Sequence, residues 1–173
     1  MPKKRIGLSF RKVNDYNQLL SVLKQVCCFA KDINCEVDLL YQVDEDRALC
    51  LRLHKDLGRD TVNFSDELID YYKLSTYNKY DMVISNRLHV LLMAAMNGSL
   101  PFGVLSNNSN EQKIACIFSG VCNDKYIARL DSFNISDITS IYSTLESHMS
   151  DLQEQVGIQR GLCINTIKSI LQN

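Results

Sequence analysis

Hydrophobic residues recur with two different spacings along this chain, and the two spacings alternate. The short apolar runs have the length of strands buried in a parallel sheet, and they fall at 5–10, 36–43, 61–64, 80–85, 101–105 and 126–130. Between them, apolar residues recur every three or four positions, which is the spacing of one helix face. This spacing predicts helices over 15–31, 46–57, 65–78, 87–97, 111–119 and 136–171. We expect the last helix to be broken near Ser150 or Gly157.

Residues typical of helix ends support several of these boundaries. Gly58 and Gly98 each follow a predicted helix, at the position where a left-handed cap favours glycine. Ser65 is a good N-cap for the helix predicted to run to residue 78.

Strands that alternate with helices indicate βαβ units, and therefore a mainly parallel sheet with right-handed crossovers. The sequence predicts one α/β domain over 1–173 with a doubly wound, Rossmann-like sheet. In such sheets ligands bind outside the carboxyl ends of the strands, where the strand order reverses. That rule selects three predicted loops, at 9–12, 85–87 and 106–110.

Composition narrows the function classes. The formal net charge is −1, so no global field attracts nucleic acid or an anionic membrane. No apolar stretch approaches the roughly 18–20 residues that span a bilayer, and the basic N-terminus precedes no apolar signal core. The 7 cysteines include no Cys-x-x-Cys pair. We expect a cytoplasmic protein with reduced, mostly buried cysteines and no metal site.

The sharpest chemical signal lies at 81–89, where a buried strand leads into Ser85-Asn86-Arg87-Leu88-His89 and a helix. A helix N-terminus attracts anions, and an arginine there adds a forked donor that matches phosphate or carboxylate. A histidine two residues later is able to move protons near neutral pH. The alternative is that neither residue is functional: the arginine is exposed to solvent and the histidine has a structural role. His54 and His148 are interpreted as surface residues.

The order strand, Ser-x-Arg-Leu-His, apolar helix, Gly and Pro, followed by a strand and a loop with Lys113, resembles the C-terminal signature of the polysaccharide pyruvyl transferase family. Ile6-Gly7-Leu8-Ser9-Phe10-Arg11 is similar to the strand and arginine with which that family's C-terminal domain begins. Glu111-Gln112-Lys113 resembles a later Tyr-x-x-Lys region without its tyrosine. The resemblance covers about residues 4–120.

The resemblance implies the C-terminal half of a glycosyltransferase-B fold. It implies transfer of a pyruvyl group from phosphoenolpyruvate to two hydroxyls of a surface-polysaccharide sugar, forming a ketal without a cofactor. Arg87 and His89 are the implied catalytic residues, with Arg87 on the phosphate and His89 as the proton donor. Arg11, Ser85, Asn86 and Lys113 are the implied substrate contacts. An acidic residue is common in the family after the second strand, where Asp44, Glu45 and Asp46 stand; their alternative role is a charged turn and helix cap.

Members of that family carry an N-terminal domain of similar size, and their active site lies between the two domains. We therefore expect a missing N-terminal domain or partner chain, and little or no activity from this domain alone. Two other functions stay open. One is a nucleotide-sugar-binding glycosyltransferase-B domain, for which only Glu111 offers a carboxylate in the donor loop. The other is a non-catalytic binding or scaffold domain.

Overall fold

The computed structural model describes residues 4–106, 109–122 and 124–171. Within them, six parallel strands form one sheet in the order β3-β2-β1-β4-β5-β6. The strands are β1 Arg5–Ser9, β2 Glu36–Tyr41, β3 Asn63–Leu68, β4 Met82–Ser85, β5 Leu100–Leu105 and β6 Ile127–Arg129. The order reverses between β1 and β4, which confirms the doubly wound, Rossmann-like sheet.

The α-helices are α1 Tyr16–Asp32, α2 Asp44–Leu57, α3 Leu88–Met96, α4 Ser109–Cys122, α5 Ile135–Ser143 and α6 Leu145–Leu171. Short 3-10 helices cover Tyr71–Lys79, Asp124–Tyr126 and Leu130–Ser132. The glycine caps are confirmed, since Gly58 and Gly98 have φ values of 100° and 83°. In the described residues, no helix is both long and apolar enough to cross a bilayer.

The helix predicted over 65–78 is wrong over its first residues, and only its later part is helical, as a 3-10 helix. Residues 63–68 form β3 instead, because their backbone pairs with the open edge of β2 through Asn63 with Asp38 and Phe64 with Leu39. Asp66 has a left-handed φ of 52°, which no helix accommodates. The Asp70 side chain then accepts the N–H of Tyr72 and begins a 3-10 helix.

The break in the last predicted helix is also misplaced, because it falls at Thr144 and not at Ser150 or Gly157. Ser143 Oγ and Thr144 Oγ1 donate to the carbonyl of Ser140 at 2.7 and 3.3 Å. Such local bonds compete with the helical pattern. Gly157 lies inside α6.

The cysteines follow the expectation in part. Cys27, Cys35 and Cys50 are buried free thiols, whereas Cys28 and Cys116 are exposed. Burial raises the pKa of Cys27 to about 11 and that of Cys50 to about 12. The side chains of Cys122 and Cys163 lie outside the described residues.

A cluster of hydrogen-bonded polar side chains joins β1, β2 and β3 on one face of the sheet. The Asp38 carboxylate accepts hydrogen bonds from Arg5 Nη1 at 3.1 Å, Asn63 Nδ2 at 2.8 Å and the Tyr80 hydroxyl at 3.1 Å. The Tyr80 ring reaches Asp38 by lying over Gly7 on β1. Three donors from different segments satisfy this buried carboxylate and fix the order of the strands.

Gly7→Ala should destabilise the domain. A Cβ there would lie 2.8 Å from Leu40 Cδ1 and 3.3 Å from Tyr80 Cγ, inside the packed face. We expect a loss of about 1–3 kcal/mol in the free energy of unfolding, measured by urea titration. The control is Gly157→Ala in exposed helix, where nothing lies within 4 Å and alanine should stabilise slightly. Equal stability of the two variants would contradict this packing.

Candidate functional site

Parallel pairing of β1 with β4 places the ends of these two strands side by side. Ser9 lies opposite Ser85 in the register, so the residues that follow each strand leave the sheet at the same edge. Because the strand order reverses between β1 and β4, this edge is where a doubly wound sheet opens a crevice for a ligand. The two predicted arginine loops therefore emerge next to each other.

The side chain of Asn86 joins the two loops. It is fully buried, its Oδ1 accepts the backbone N–H of Arg11 at 2.9 Å, and its Nδ2 donates to the Arg11 carbonyl at 3.3 Å. Ser85 Oγ accepts the N–H of Arg87 at 3.0 Å. Ser85 and Asn86, predicted as substrate contacts, thus use these polar groups on the backbones of the two arginines.

Arg87 forms an ion pair with a carboxylate that belongs to neither of the two arginine loops. Its Nε lies 2.5 Å from Oδ2 of Asp46 in the first turn of α2. The Nε–H is not directed at that oxygen, so the contact is a charge pair and not an aligned hydrogen bond. The Arg87 side chain keeps 25% of its surface exposed, whereas that of Asp46 keeps 4%. The arginine is therefore held from the protein side and open toward solvent.

Arg11 is paired in a similar way with Glu111. Its Nη2 lies 3.5 Å from Glu111 Oε1, and the Arg11 side chain is 31% exposed while that of Glu111 is 1% exposed. Glu111 Oε2 also accepts from the backbone N–H and the hydroxyl of Ser106, the first residue after β5. Glu111 therefore ties the β5 loop to the arginine that follows β1.

His89 and Lys113 are exposed on the first turn of α3 and on α4. Within the described parts of the chain, neither side chain forms a hydrogen bond or an ion pair. The N-cap residue of α3 is Arg87, which makes no side-chain capping bond, so the first N–H groups of this helix lack a side-chain acceptor. Residues 107 and 108 of the third predicted loop lie outside the described residues.

The site holds residues that sequence reasoning did not assign to it. The sequence does not distinguish Asp46 from Asp44 and Glu45, either as the family's acidic position or as a charged turn, yet Asp46 is buried against Arg87, while Asp44 and Glu45 are exposed. Ser9 Oγ is buried at the strand end and has no hydrogen-bond partner in the structure described. The sequence signal that could have located them is the presence of polar residues at the end of a strand or after it.

The other two histidines make local contacts. The His54 ring lies 5.7 Å from that of Phe64, and His148 Nδ1 lies 3.1 Å from the Tyr126 hydroxyl. Partial burial, with the nearby charge of Lys125, lowers the pKa of His148. Over the described residues, no group of three or more His, Cys, Asp or Glu side chains is placed to hold a metal ion.

Asn86→Asp should destabilise the domain, because the new oxygen would face the Arg11 carbonyl and put an unpaired charge in a buried position. We expect a loss of about 2–4 kcal/mol in the free energy of unfolding near neutral pH, measured by urea titration. Asn78→Asp makes the same chemical change on an exposed residue and should be nearly neutral. If Asn86→Asp unfolded at the same urea concentration as Asn78→Asp, the joining role of Asn86 would be wrong.

Comparison with known proteins supports the fold. No family model and no curated protein matches the chain. It resembles a chain in the crystal structure of a GtfA/B complex, with 16% identity over 88% of this chain and 33% of that one, at a TM-score of 0.52. A second match, at a TM-score of 0.46, is an O-GlcNAc transferase mutant from Thermobaculum terrenum, with 14% identity over 88% of this chain and 33% of that one.

The chain spans about a third of the length of either solved structure. The likeness concerns the fold: a parallel Rossmann-like sheet with flanking helices, of the kind found in glycosyltransferase-B proteins. The chain therefore has a glycosyltransferase-like fold.

Proposed function

We propose that this domain binds phosphoenolpyruvate at the crevice between β1 and β4, and forms the donor half of a pyruvyl transferase that acts on a surface-polysaccharide sugar. The observation that carries the proposal is the pair of partly exposed arginines, Arg11 and Arg87, held by Asn86 and Ser85 at the ends of adjacent strands. Phosphoenolpyruvate carries a phosphate and a carboxylate, and a guanidinium is the donor that matches either group in two-point contact.

The charge balance of the site favours a ligand that is held by several donors together. Asp46 and Glu111 offset the charges of Arg87 and Arg11, so the two pairs are neutral as a group. Further attraction comes from the N-terminus of α3, which carries a partial positive charge, and from Lys113. Binding of a multiply charged anion then depends on geometry as much as on net charge.

The chemistry assigned to the site is a two-step addition and displacement. His89 gives a proton to the methylene carbon of phosphoenolpyruvate while the first sugar hydroxyl bonds to the adjacent carbon, and it takes up that hydroxyl's proton. The second hydroxyl bonds to the same carbon, the C–O bond to phosphate breaks, and its proton leaves with the phosphate. The products are a cyclic ketal and inorganic phosphate. Arg87 stabilises the charge that grows on the departing phosphate.

The nucleotide-sugar alternative loses the one residue that supported it. Glu111 was the carboxylate available to contact a ribose, but its side chain is 1% exposed and already binds Ser106 and Arg11. The acceptor sugar, in this proposal, is bound by an N-terminal domain or partner chain facing the same crevice.

Titration of the labelled domain with phosphoenolpyruvate, followed by NMR, should show saturable binding with shifts around Arg11, Arg87 and His89. Arg87→Gln should weaken this binding about ten- to a hundredfold, because it removes a charge-assisted contact. The control is Arg160→Gln, which removes the same charge from an exposed position on α6. Binding of UDP without phosphoenolpyruvate would instead favour a nucleotide-sugar domain, and binding of neither would favour a scaffold.

His89→Gln should separate binding from chemistry. In an assembly that includes the acceptor-binding domain, phosphate release from phosphoenolpyruvate should fall about 10²- to 10⁴-fold, because the variant lacks the proton donor. Phosphoenolpyruvate affinity should stay within about threefold, the range of a lost exposed contact. His54→Gln serves as the control histidine and should leave turnover unchanged. Full turnover in the His89 variant would rule out its general-acid role.

A further inference from the structure

Asp46 is a buried carboxylate that faces Arg87, and it comes from an unexpected direction. It lies in the first turn of α2, which follows β2, whereas Arg87 follows β4 on the far side of β1. The Asp46–Arg87 pair therefore spans the crevice from the β2 side. Among the described residues, Arg87 is the only cation within ion-pair distance of the Asp46 carboxylate.

The usual tasks of an acidic residue in a helix's first turn do not account for this burial. Asp44 and Glu45 stand in the same turn, are exposed, and already complement the partial positive charge of the helix N-terminus. Burying a third carboxylate is costly, and a buried ion pair is weak evidence for added stability, since apolar replacements are often as stable. The pair must instead be explained by what it does to Arg87.

We infer that Asp46 is the positioning residue of Arg87, an assignment that rests on the proposed donor site. Its carboxylate lies against Nε, so the edge formed by Nη1 and Nη2 stays open for the ligand. In the part of the chain that the structure describes, the closest ion-pair contact of Arg87 is at Nε, and no hydrogen bond uses either of its Nη atoms. A carboxylate or phosphate needs two parallel donors at a fixed angle, and this edge supplies them only while the guanidinium is held.

The inference gives a prediction opposite in sign to that of simple electrostatics. A negative charge close to an anion site repels the anion, so removal of Asp46 should strengthen binding if charge alone matters. If Asp46 orients Arg87, its removal should weaken binding, although the site becomes more positive.

The first test compares Asp46→Asn with Asp44→Asn, which remove the same charge from the same turn of α2. We expect Asp46→Asn to weaken phosphoenolpyruvate binding about tenfold or more, the usual effect of losing a residue that orients a ligand contact. Asp44→Asn should leave the affinity unchanged or slightly stronger. Unchanged or tighter binding by a folded Asp46→Asn protein would overturn the positioning role.

A second measurement needs neither a variant nor a donor. NMR relaxation of the arginine Nε–H groups in the unmodified domain reports how freely each side chain moves, and the Nε–H of Arg87 should be markedly more restricted than that of exposed Arg160. Equal mobility would overturn the inference even if Asp46→Asn failed to fold. A restricted Arg87 in a domain that binds no phosphoenolpyruvate would uphold the positioning and reject only the proposed function.

Discussion

The parallel pairing of β1 with β4 is the constraint on which the site depends. Each strand continues into a loop that carries an arginine, and the register sets Ser9 opposite Ser85, so both loops leave the sheet at one level. A shift of one residue would turn every side chain of a strand to the other face of the sheet. The buried apolar residues of β1 and β4 prevent that shift, and in this way the core positions the arginines.

The ion pairs in this site orient the two arginines more than they build up a net positive charge. A domain with a net charge of −1 has no long-range field to draw in an anion. Its two arginines face buried carboxylates, and the serine and asparagine between them bind backbone groups. The contrast between one exposed and one buried member in each ion pair gives each guanidinium a direction.

The sequence predicted the elements where pattern and packing agree. Alternating apolar runs located β1, β2, β4 and β5, because strands buried on both faces leave a continuous hydrophobic signal. It predicted a strand at 61–64, which meets only the start of β3, and it assigned 65–68 to a helix, because these residues are mostly exposed and their strand conformation depends on pairing with β2. Pairing of that kind comes from residues distant in the chain, so a local pattern does not contain it.

The sequence also predicted only part of the site. The rule that ligands bind beyond the carboxyl ends of strands selected the loops of Arg11 and Arg87 from the sequence. Their partners were not predictable, because Asp46 and Glu111 lie in the first turns of helices that become neighbours of these loops only once the sheet has formed. Ser85 and Asn86, predicted as substrate contacts, lie at the end of β4 and directly after it, and their side chains bind the backbones of the two arginines.

The two hydrogen bonds between the Asn86 side chain and the backbone of Arg11 have a mechanical consequence. Since one buried amide is bonded at two points to the neighbouring loop, neither loop is able to move by an ångström without breaking bonds that have no water to replace them. The two loops therefore behave as one rigid unit. Closure of the crevice around a ligand would therefore have to come from groups other than these two loops.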